Sequence, residues 1–328
     1  MRPSLSALVA PDSFKGTYSA RAVAAAIAEG LRDGGVEAVE MPAADGGEGT
    51  MDALLATLEG ELRTAEVSDP LGNPVQAAFA LLGDGTTAFV ECAQASGLGL
   101  VPEADRDALA ASTRGTGELI VAACEAGATA VLVGVGGSAT TDGGAGAVSA
   151  VTEAGVRPRI EVVCDVRTPF EDAPRMFAPQ KGATPDQVAE LEVRQQSLAQ
   201  SAPKDPRGVP MTGAAGGLSG GLWAHLGAKL VPGAPFVLDR LGFDDALLRT
   251  AFVVTGEGRL DRQTLAGKIV GEVATRARQS GVRCHAVVGG RELDDFEARM
   301  LDLETVAEAG DPEALAAAGR ELAERAFG

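Results

Sequence analysis

The chain has 328 residues, and its 45% hydrophobic content is enough to bury a globular core, which excludes a disordered protein. Acidic residues outnumber basic ones by 46 to 28, and the net charge of −18 argues against nucleic acids and anionic membranes as partners. Aromatic residues make up only 4%, so the core must consist mainly of Ala, Val and Leu. At about 150 residues per domain, the length predicts two domains.

The cysteine pattern indicates a reducing compartment. The 4 cysteines form no CxxC pair, and the 2 histidines are too few for a histidine-based metal cluster. Each cysteine lies among small apolar residues, which is typical of buried thiols rather than disulfides. The first apolar stretch stops at Pro11-Asp12, too early for the core of a signal peptide. We therefore expect a cytoplasmic protein.

Strands and helices alternate along the first part of the chain. The apolar run before Pro11 predicts a strand, and Ser19 to Arg32 predicts a helix that begins at its serine cap and ends at the following glycine pair. Residues 36–50 predict a second strand and an acidic glycine loop, with a short helix after it. Residues 64–93 predict short strands joined by turns, because turn sequences interrupt them at close intervals.

The second part of the chain carries strands of the kind found in parallel sheets. Continuous apolar runs predict strands in AVLVGVGG, RIEVVCDV, AFVVTGEG and CHAVVGG. Helices are predicted before the first of these strands, from Ser112, and later at 185–200, 264–280 and 311–327. The polar stretch 196–210 is predicted to be a mobile loop.

This alternation predicts an α/β fold with two α/β domains and largely parallel sheets. The most natural division is discontinuous. Residues 1–67 and 251–328 would form one α/β domain, and residues 68–250 would form a second α/β domain inserted into it.

Five motifs pair a carboxylate with small residues where a predicted strand ends. They are PDSFKG at 11–16, DGGEGT at 45–50, GGSATTDGG at 136–144, the single Asp165, and GEGRLD at 256–261. Ligands of open α/β sheets bind beyond the carboxyl ends of the strands, so we expect these loops to converge on one cleft. Glycine lets amides approach phosphate, carboxylates hold Mg²⁺ or accept a proton, and a lysine balances charge. The set predicts phosphoryl transfer.

A dinucleotide-binding oxidoreductase is the alternative, because Gly134 to Ala139 fits the GxGxxA pattern. The match is weak, since the glycines of Asp142-Gly143-Gly144 would fall in the first turns of the required helix and cost about 1 kcal/mol each. For two basic residues the sequence leaves two roles open. Lys181 is either a solvated lysine or a ligand for a substrate carboxylate or phosphate, and Arg259 forms either a structural ion pair or a phosphate contact.

At these residues the sequence resembles the type 1 glycerate kinase family, bacterial kinases that phosphorylate glycerate with ATP. The resemblance runs from residue 10 to about 290 through motifs that include APDSFKGTYSA, PAADGGEGT, VGVGGSATTDGGAG, FAPQKGA and TGEGRLDRQTLAGK. It implies two α/β domains, one inserted into the other, with the active-site cleft between them. It also implies ATP and Mg²⁺ as cofactors and D-glycerate as substrate, phosphorylated at the 2-hydroxyl to give 2-phosphoglycerate.

The resemblance also implies site residues. The catalytic residues would be Lys15, Asp45 and Asp165, with Lys15 stabilising the transferring phosphoryl group and either aspartate acting as base or magnesium ligand. The metal ligands would be Asp45, Glu48 and Asp165. Asp261 also matches a polar position of the family's motifs. The residues expected to bind substrate or phosphate are Asp12, Ser13, Gly46, Gly47, Gly136, Gly137, Ser138, Asp142, Lys181 and Glu257.

Two departures from the family pattern keep further alternatives open. Thr141 stands where relatives usually have Asn, and the chain passes almost directly from AVSAVTEAGV to IEVVCDV, where relatives usually carry a longer segment. A kinase for another small hydroxy acid and a metabolite-binding protein without catalytic activity are therefore kept beside glycerate kinase. A homodimer is the oligomeric assembly considered.

Overall fold

The computed structural model describes residues 5–47, 49–262 and 264–327, and the chain divides into two units. Unit 1 comprises Met1–Asp45, Asp52–Thr57 and Gly233–Gly328, and unit 2 comprises Gly46–Met51 and Leu58–Pro232. Each unit is built on one sheet, so the predicted α/β fold with two largely parallel sheets is confirmed. The division at residues 67 and 251 stays a prediction about which segments fold independently.

The strands lie where the sequence predicted them, with one additional strand near the end of each unit. In chain order they are β1 (Ser6–Pro11), β2 (Glu37–Glu40), β3 (Gly60–Ser68), β4 (Pro74–Leu82), β5 (Thr87–Glu91), β6 (Ala130–Gly134), β7 (Arg159–Cys164), β8 (Lys229–Pro232), β9 (Phe252–Gly256), β10 (Arg283–Val288) and β11 (Thr305–Glu308).

The helices connect these strands. In chain order they are α1 (Ala20–Asp33), α2 (Thr50–Thr57), α3 (Ala93–Ser96), α4 (Arg114–Glu125), α5 (Ala145–Ala154), α6 (Ala173–Phe177), α7 (Pro185–Ser201), α8 (Leu218–Leu226), α9 (Gly233–Leu241), α10 (Phe243–Leu247), α11 (Ile269–Ser280), α12 (Asp295–Met300) and α13 (Pro312–Phe327). Within the described ranges, no helix is both long enough and apolar enough to cross a membrane.

The sheet of unit 1 is parallel throughout, with the strand order β11-β10-β9-β1-β2. β1 and β9 are buried almost completely, which explains their unbroken apolar sequences, since helices cover both faces of such a sheet. The register pairs Pro11 of β1 with Gly256 of β9, so both strands end at the same level. This register brings the residues that follow the two strands together.

Helices α1 and α13 of unit 1 pack at very short range. A Cβ at Gly30 would lie 1.9 Å from the carbonyl oxygen of Ala316, and one at Gly319 would lie 2.3 Å from that of Ile27. The helix α1 begins as predicted, with the Ser19 side chain accepting a hydrogen bond from the amide of Ala22.

The sheet of unit 2 is mixed, with the strand order β3-β4-β5-β6-β7-β8. β3, β4 and β5 are antiparallel neighbours, and β5 to β8 run parallel. Its antiparallel part contains the strands joined by turns that residues 64–93 predicted. Helices α4 and α5 join the apolar core of this unit through Leu119, Ile120 and Val151.

Three predictions about elements need correction. Residues 196–201 belong to the end of α7, so only the later part of the predicted loop 196–210 is irregular. The predicted helix 264–280 begins only at Ile269, after a separate 3₁₀ turn at Thr264–Ala266, because Gly267 takes a φ of 107° that ends the turn. The strands β8 and β11 were not predicted.

Candidate active site

Asp12 and Glu257 of unit 1 are neighbours because their strands end together. Asp12 follows β1, and its amide donates a hydrogen bond to the carbonyl oxygen of Gly256 at 2.8 Å. Glu257 is the next residue after that carbonyl. Both carboxylates are buried, with exposed fractions of 4% for Asp12 and 6% for Glu257. The prediction that these residues stand at the carboxyl ends of strands is confirmed.

The Asp12 carboxyl group is held in an environment that favours its neutral form. Burial raises its pKa from 3.8 to about 7, and the nearby carboxylates of Asp45 and Glu257 add to that rise. Lys15 and a hydrogen bond from the amide of Ser13 at 2.6 Å act in the opposite direction. The predicted residues Asp12, Ser13, Lys15, Asp45 and Glu257 are therefore one electrostatic cluster.

Asp45 reaches this cluster because the chain after β2 continues to follow β1. The amide of Ala43 donates to the carbonyl oxygen of Pro11 at 2.9 Å, two residues before Asp45. The Asp45 carboxylate lies 3.5 Å from the Nζ atom of Lys15, and its side chain is only 3% exposed, whereas that of Lys15 is 57% exposed. The lysine thus presents its ammonium group to solvent beside a buried carboxylate.

Glu257 has its own set of partners. Burial raises its pKa from 4.5 to about 7, and the charges of Asp261 and Asp45 contribute in the same direction. The hydroxyl of Thr264 donates a hydrogen bond to Glu257, and this bond and the charge of Lys268 lower the pKa. Lys268 was not among the predicted site residues, although it ends the TGEGRLDRQTLAGK motif.

A cavity of about 400 Å³ opens above this cluster. Its lining residues all belong to unit 1 and come from the loops after β1, β9 and β10, and from the residues before α11 and α13. They are Asp12, Ser13, Phe14, Lys15, Thr17, Glu257, Gly258, Arg259, Asp261, Lys268, Gly289 and Gly310. Arg259 forms an ion pair with Glu292 at 2.7 Å, which favours the structural interpretation of this residue.

The chemistry of this donor set fits a hard divalent cation. Carboxylate oxygens are the ligands that Mg²⁺ prefers, and it commonly takes only one or two of them together with substrate phosphates and water. The pKa values of Asp12 and Glu257 are raised by burial and by neighbouring carboxylates, and a cation placed among these groups would stabilise their ionised forms. In the part of the chain that the structure describes, no group of three His, Cys, Asp or Glu has metal-binding spacing. Glu48 lies outside the described residues.

Gly46 and Gly47 belong to unit 2, where they pack against the end of β6. A Cβ at Gly134 would lie 2.9 Å from the carbonyl oxygen of Gly46, so the two backbones approach too closely for any side chain. The Thr50 hydroxyl donates to the carbonyl oxygen of Gly47 at 2.7 Å and closes the turn before α2. This glycine pair is therefore brought to the carboxyl end of β6, next to the segment Gly136–Ser138.

The segment Gly136–Ser138 forms a turn with unused amide donors. The carbonyl oxygen of Gly137 accepts from the amide of Leu98 at 2.8 Å, and the amide of Ala139 donates to the carbonyl oxygen of Ser96 at 2.9 Å. Among the described residues, the amides of Gly136, Gly137 and Ser138 have no hydrogen-bond acceptor. Gly137 has a φ of 65°, and consecutive free amides around such a residue make an anion-binding concavity.

Lys181 lies behind this turn and is 3% exposed, which excludes the solvated lysine. Its Nζ atom donates to the Ser138 hydroxyl at 2.9 Å and to the carbonyl oxygen of Thr140 at 2.6 Å. Burial lowers its pKa to about 8, while the nearby Cys92 and Asp142 raise it. The structure thus brings Ser138 and Lys181 together, although 43 positions separate them in the chain.

Asp142 is occupied by the backbone of its own unit. One carboxylate oxygen accepts from the amide of Thr113 at 2.8 Å, from the Thr113 hydroxyl at 2.8 Å and from the amide of Gly146 at 3.1 Å. The other oxygen accepts from the amide of Gly144 at 3.0 Å. These bonds tie the first turns of α4 and α5 together, so the geometry favours a structural role for Asp142 over the predicted contact with substrate.

Asp165 directly follows β7 and is half-buried. Because β7 pairs in parallel with β6, Asp165 and the segment Gly136–Ser138 follow strands that end at the same edge of the sheet. The predicted residues thus form two groups. Asp12, Ser13, Lys15, Asp45 and Glu257 lie in unit 1, and Gly46, Gly47, Gly136, Gly137, Ser138, Asp142, Asp165 and Lys181 lie in unit 2.

Comparison with known proteins assigns the chain to a family. The model of the glycerate kinase family matches residues 7–157 and 152–325, and the two pieces meet where the sequence suggested a shortened segment. The structure is similar to the crystal structure of a protein described as glycerate kinase 2 from Salmonella typhimurium LT2. The TM-score is 0.86, the sequence identity is 33%, and the match covers 99% of each chain.

Curated bacterial proteins are similar over most of their length. The chain is 41% identical to the glycerate 2-kinase of Escherichia coli, with 83% of this chain and 82% of that protein covered. It is 40% identical to the glycerate kinase of Halalkalibacterium halodurans, with 86% and 84% covered. For the glycerate kinase of Bacillus subtilis the identity is 38%, with 88% and 85% covered. The chain belongs to the glycerate kinase family.

Proposed function

We propose that this protein transfers the γ-phosphoryl group of ATP to the 2-hydroxyl of D-glycerate, giving 2-phosphoglycerate and ADP. The observation that carries the proposal is the buried cluster of Asp12, Asp45 and Glu257 with Lys15 at the carboxyl ends of parallel strands, in a chain of this family. The 2-hydroxyl is chosen because the Escherichia coli relative is named a glycerate 2-kinase.

Lys15 is the residue that we expect to balance charge on the transferring phosphoryl group. Its ammonium group is accessible and lies 3.5 Å from the Asp45 carboxylate, which restrains its position. A cation fixed in this way stabilises charge as it develops on the equatorial oxygens in the transition state. Asp45 or Asp165 accepts the proton of the attacking hydroxyl, so that the new O–P bond forms as the bond to the ADP oxygen breaks.

Anionic parts of the substrates need donors in a protein with a net charge of −18. We expect the free amides of Gly136, Gly137 and Ser138 to bind either the phosphates or the glycerate carboxylate, with the Gly46-Gly47 turn beside them. Mg²⁺ has Asp45, Glu48 and Asp165 as its predicted ligands, and of these Asp45 lies in the buried carboxylate cluster of unit 1. When bound, the ion neutralises charge on the phosphate oxygens.

Two further properties belong to the same proposal. We expect the enzyme to act in the cytoplasm, since Cys92, Cys124, Cys164 and Cys284 are all free thiols and suit a reducing compartment. We also carry a homodimer as the assembly to be tested. Analytical ultracentrifugation of the purified protein would distinguish a dimer from a monomer.

The test of the reaction is a coupled assay of ADP release with ATP, Mg²⁺ and D-glycerate, followed by phosphorus NMR of the product. Turnover with the 2-phosphoglycerate resonance is expected. A 3-phosphoglycerate resonance would contradict the position of transfer, and turnover only with another small hydroxy acid would contradict the substrate. A folded protein that binds these compounds without releasing ADP would contradict the proposal as a whole.

Variants test the residues. Lys15→Ala and Asp165→Asn should each lower kcat by about a hundredfold or more, if electrostatic stabilisation and proton transfer act at these positions. Lys229→Ala is the matched control, because Lys229 is an exposed lysine at the start of β8. Unchanged kcat in both site variants would overturn the assignment of catalytic roles but would not contradict the proposed substrate.

A further inference from the structure

The contacts of Lys181 show that its charge is directed at the protein and not at solvent. The residue ends the 3₁₀ turn Pro179–Lys181, and Gly182 after it has a φ of 93°, which turns the chain away. With 3% of the residue exposed, the ammonium group reaches the Ser138 hydroxyl and the Thr140 carbonyl oxygen. Lys181 therefore holds the last residue of the turn and the backbone two residues after it.

The bond to Ser138 fixes the direction of the serine's own proton. An ammonium group has donors and no acceptor, so the Ser138 oxygen must be the acceptor in the 2.9 Å contact with Lys181. The hydroxyl hydrogen of Ser138 is then free to donate elsewhere. Ser138 becomes a donor with a positive charge behind its oxygen, and such charge-assisted hydrogen bonds to anions are the stronger kind.

The same turn also carries backbone amide donors, although Ser138 itself is buried. Gly137 is exposed and Gly136 is half-exposed, while the amides of Gly136, Gly137 and Ser138 have no acceptor in the described part of the chain. The turn is held on its other side by the hydrogen bonds to Ser96 and Leu98. Donors of both kinds, amide and hydroxyl, therefore belong to one three-residue segment.

Burial lowers the pKa of Lys181 to about 8, and two neighbouring groups limit this shift. Asp142 and Cys92 face it from the loops before α5 and α3, and both raise its pKa. Asp142 is itself restrained by four hydrogen bonds from Thr113, Gly144 and Gly146. The ammonium group thus has a restrained carboxylate nearby in addition to its two hydrogen-bond acceptors.

We propose that Lys181 is a positioning residue that makes Ser138 and the Gly136–Ser138 amides a preorganised site for an anionic oxygen group. The proposal rests on the proposed function for its ligand, which is either the carboxylate of D-glycerate or a phosphate of ATP. It changes the predicted role of Lys181 from direct contact with the substrate to action through Ser138.

The test is a double-mutant cycle read by equilibrium binding in the full-length protein. Lys181→Met, Ser138→Ala and the double variant are titrated calorimetrically with D-glycerate, ATP and inorganic phosphate. Each single variant should weaken binding of one substrate by about tenfold, and the double variant should be no weaker than the poorer single variant. The substrate that loses affinity identifies the bound group, because the other should keep its affinity.

Controls separate this role from a merely structural one. Lys181→Gln keeps an N–H donor for Ser138 without the charge and should recover part of the affinity, and Lys229→Met should leave it unchanged. Circular dichroism before titration shows which variants are folded, and Ser138→Ala tests the site even if Lys181→Met does not fold. Unchanged affinities in Ser138→Ala, or losses that multiply in the double variant, would overturn the proposal. Because binding is measured without turnover, an inactive wild type that still binds phosphate through Ser138 would contradict only the proposed function.

Discussion

Burial and neighbouring carboxylates raise the pKa of Asp12 and that of Glu257 to about 7. The ordinary pKa values are 3.8 for Asp12 and 4.5 for Glu257. At pH values between these and the raised pKa, the folded protein holds protons that the unfolded chain has released. The free energy of unfolding must therefore fall as the pH rises through this window. Above it both groups are ionised in the fold, and their repulsion persists unless a cation or substrate offsets it.

Asp12→Asn tests this effect, because the amide keeps an oxygen for the Ser13 amide and removes the charge. We expect the variant to be more stable than the wild type by about 2 kcal/mol at about pH 8, and little changed at about pH 4.5. Urea unfolding at the two pH values measures the difference. Glu66→Gln, at an exposed position of β3, is the control. A variant that is less stable at the higher pH would refute the electrostatic explanation.

The position of these residues was more predictable than their surroundings. The carboxylates and Lys15 were found because they end predicted strands, and the ends of neighbouring parallel strands must meet. The burial of Lys181 was not predictable, since it depends on a contact with Ser138 across 43 positions. Lys268 was also missed: it lines the cavity together with Glu257, but it fell inside the predicted helix 264–280 and not at the end of a predicted strand.

At the scale of elements, Asp142 joins two helices. Its carboxylate accepts backbone hydrogen bonds from the first turns of α4 and α5, where a negative charge also stabilises the helix dipoles. Thr113 adds a second connection, since its hydroxyl also accepts from the amide of Ala147 at 3.0 Å. The segment that carries Gly136–Ser138 leads directly into this junction.

Asp142→Ala should therefore lower the free energy of unfolding by about 3 kcal/mol, and Asp142→Asn by less, because the amide retains one acceptor oxygen. Chemical unfolding followed by circular dichroism provides the measurement. Glu125→Gln, exposed at the end of α4, should have no effect. If Asp142→Asn lost substrate affinity at unchanged stability, the residue would be a ligand for substrate as the sequence predicted.

The packing of α1 on α13 allows a test of element packing that is independent of the site. Alanine favours helices by about 1 kcal/mol over glycine, so Gly30→Ala would stabilise an isolated α1. In the fold the new Cβ would meet the Ala316 carbonyl oxygen at 1.9 Å, and we expect a net loss of about 2 kcal/mol or more. Thermal unfolding compares this variant with Glu29→Ala, at an exposed position one residue earlier. A stabilised Gly30→Ala would contradict the close packing.

The elements predicted from the sequence are those with strong local patterns. β1, β6, β7, β9 and β10 were found from continuous apolar runs, and α1 from its serine cap and terminal glycines. β8 and β11 were missed because each has only four residues and forms the edge of its sheet, where pairing with a single neighbour determines the strand. The sequence KLVP of β8 also ends in proline, which is unfavourable within strands.

At the scale of the molecule, the acidic composition affects the approach of both proposed substrates. The net charge of −18 should repel the proposed substrates, ATP and D-glycerate, at long range, and we expect Lys15 and the Gly136–Ser138 amides to attract them only locally. The convergence of all five loops on one cleft remains a prediction, since the described residues place them in two groups by unit. Because the repulsion acts over a longer range than the local attraction, its effect should depend on the salt concentration.

Salt shortens the Debye length from about 30 Å at 0.01 M to about 8 Å at 0.15 M, so it screens the distant acidic surface more than close contacts. We therefore expect kcat/KM for D-glycerate to rise severalfold over this range, at fixed Mg²⁺ and saturating ATP. Steady-state kinetics in KCl and in potassium acetate measures the dependence, and agreement between the salts excludes a specific effect of the chloride. A fall in kcat/KM with salt would show that local cations, rather than the net charge, dominate the approach of the substrate.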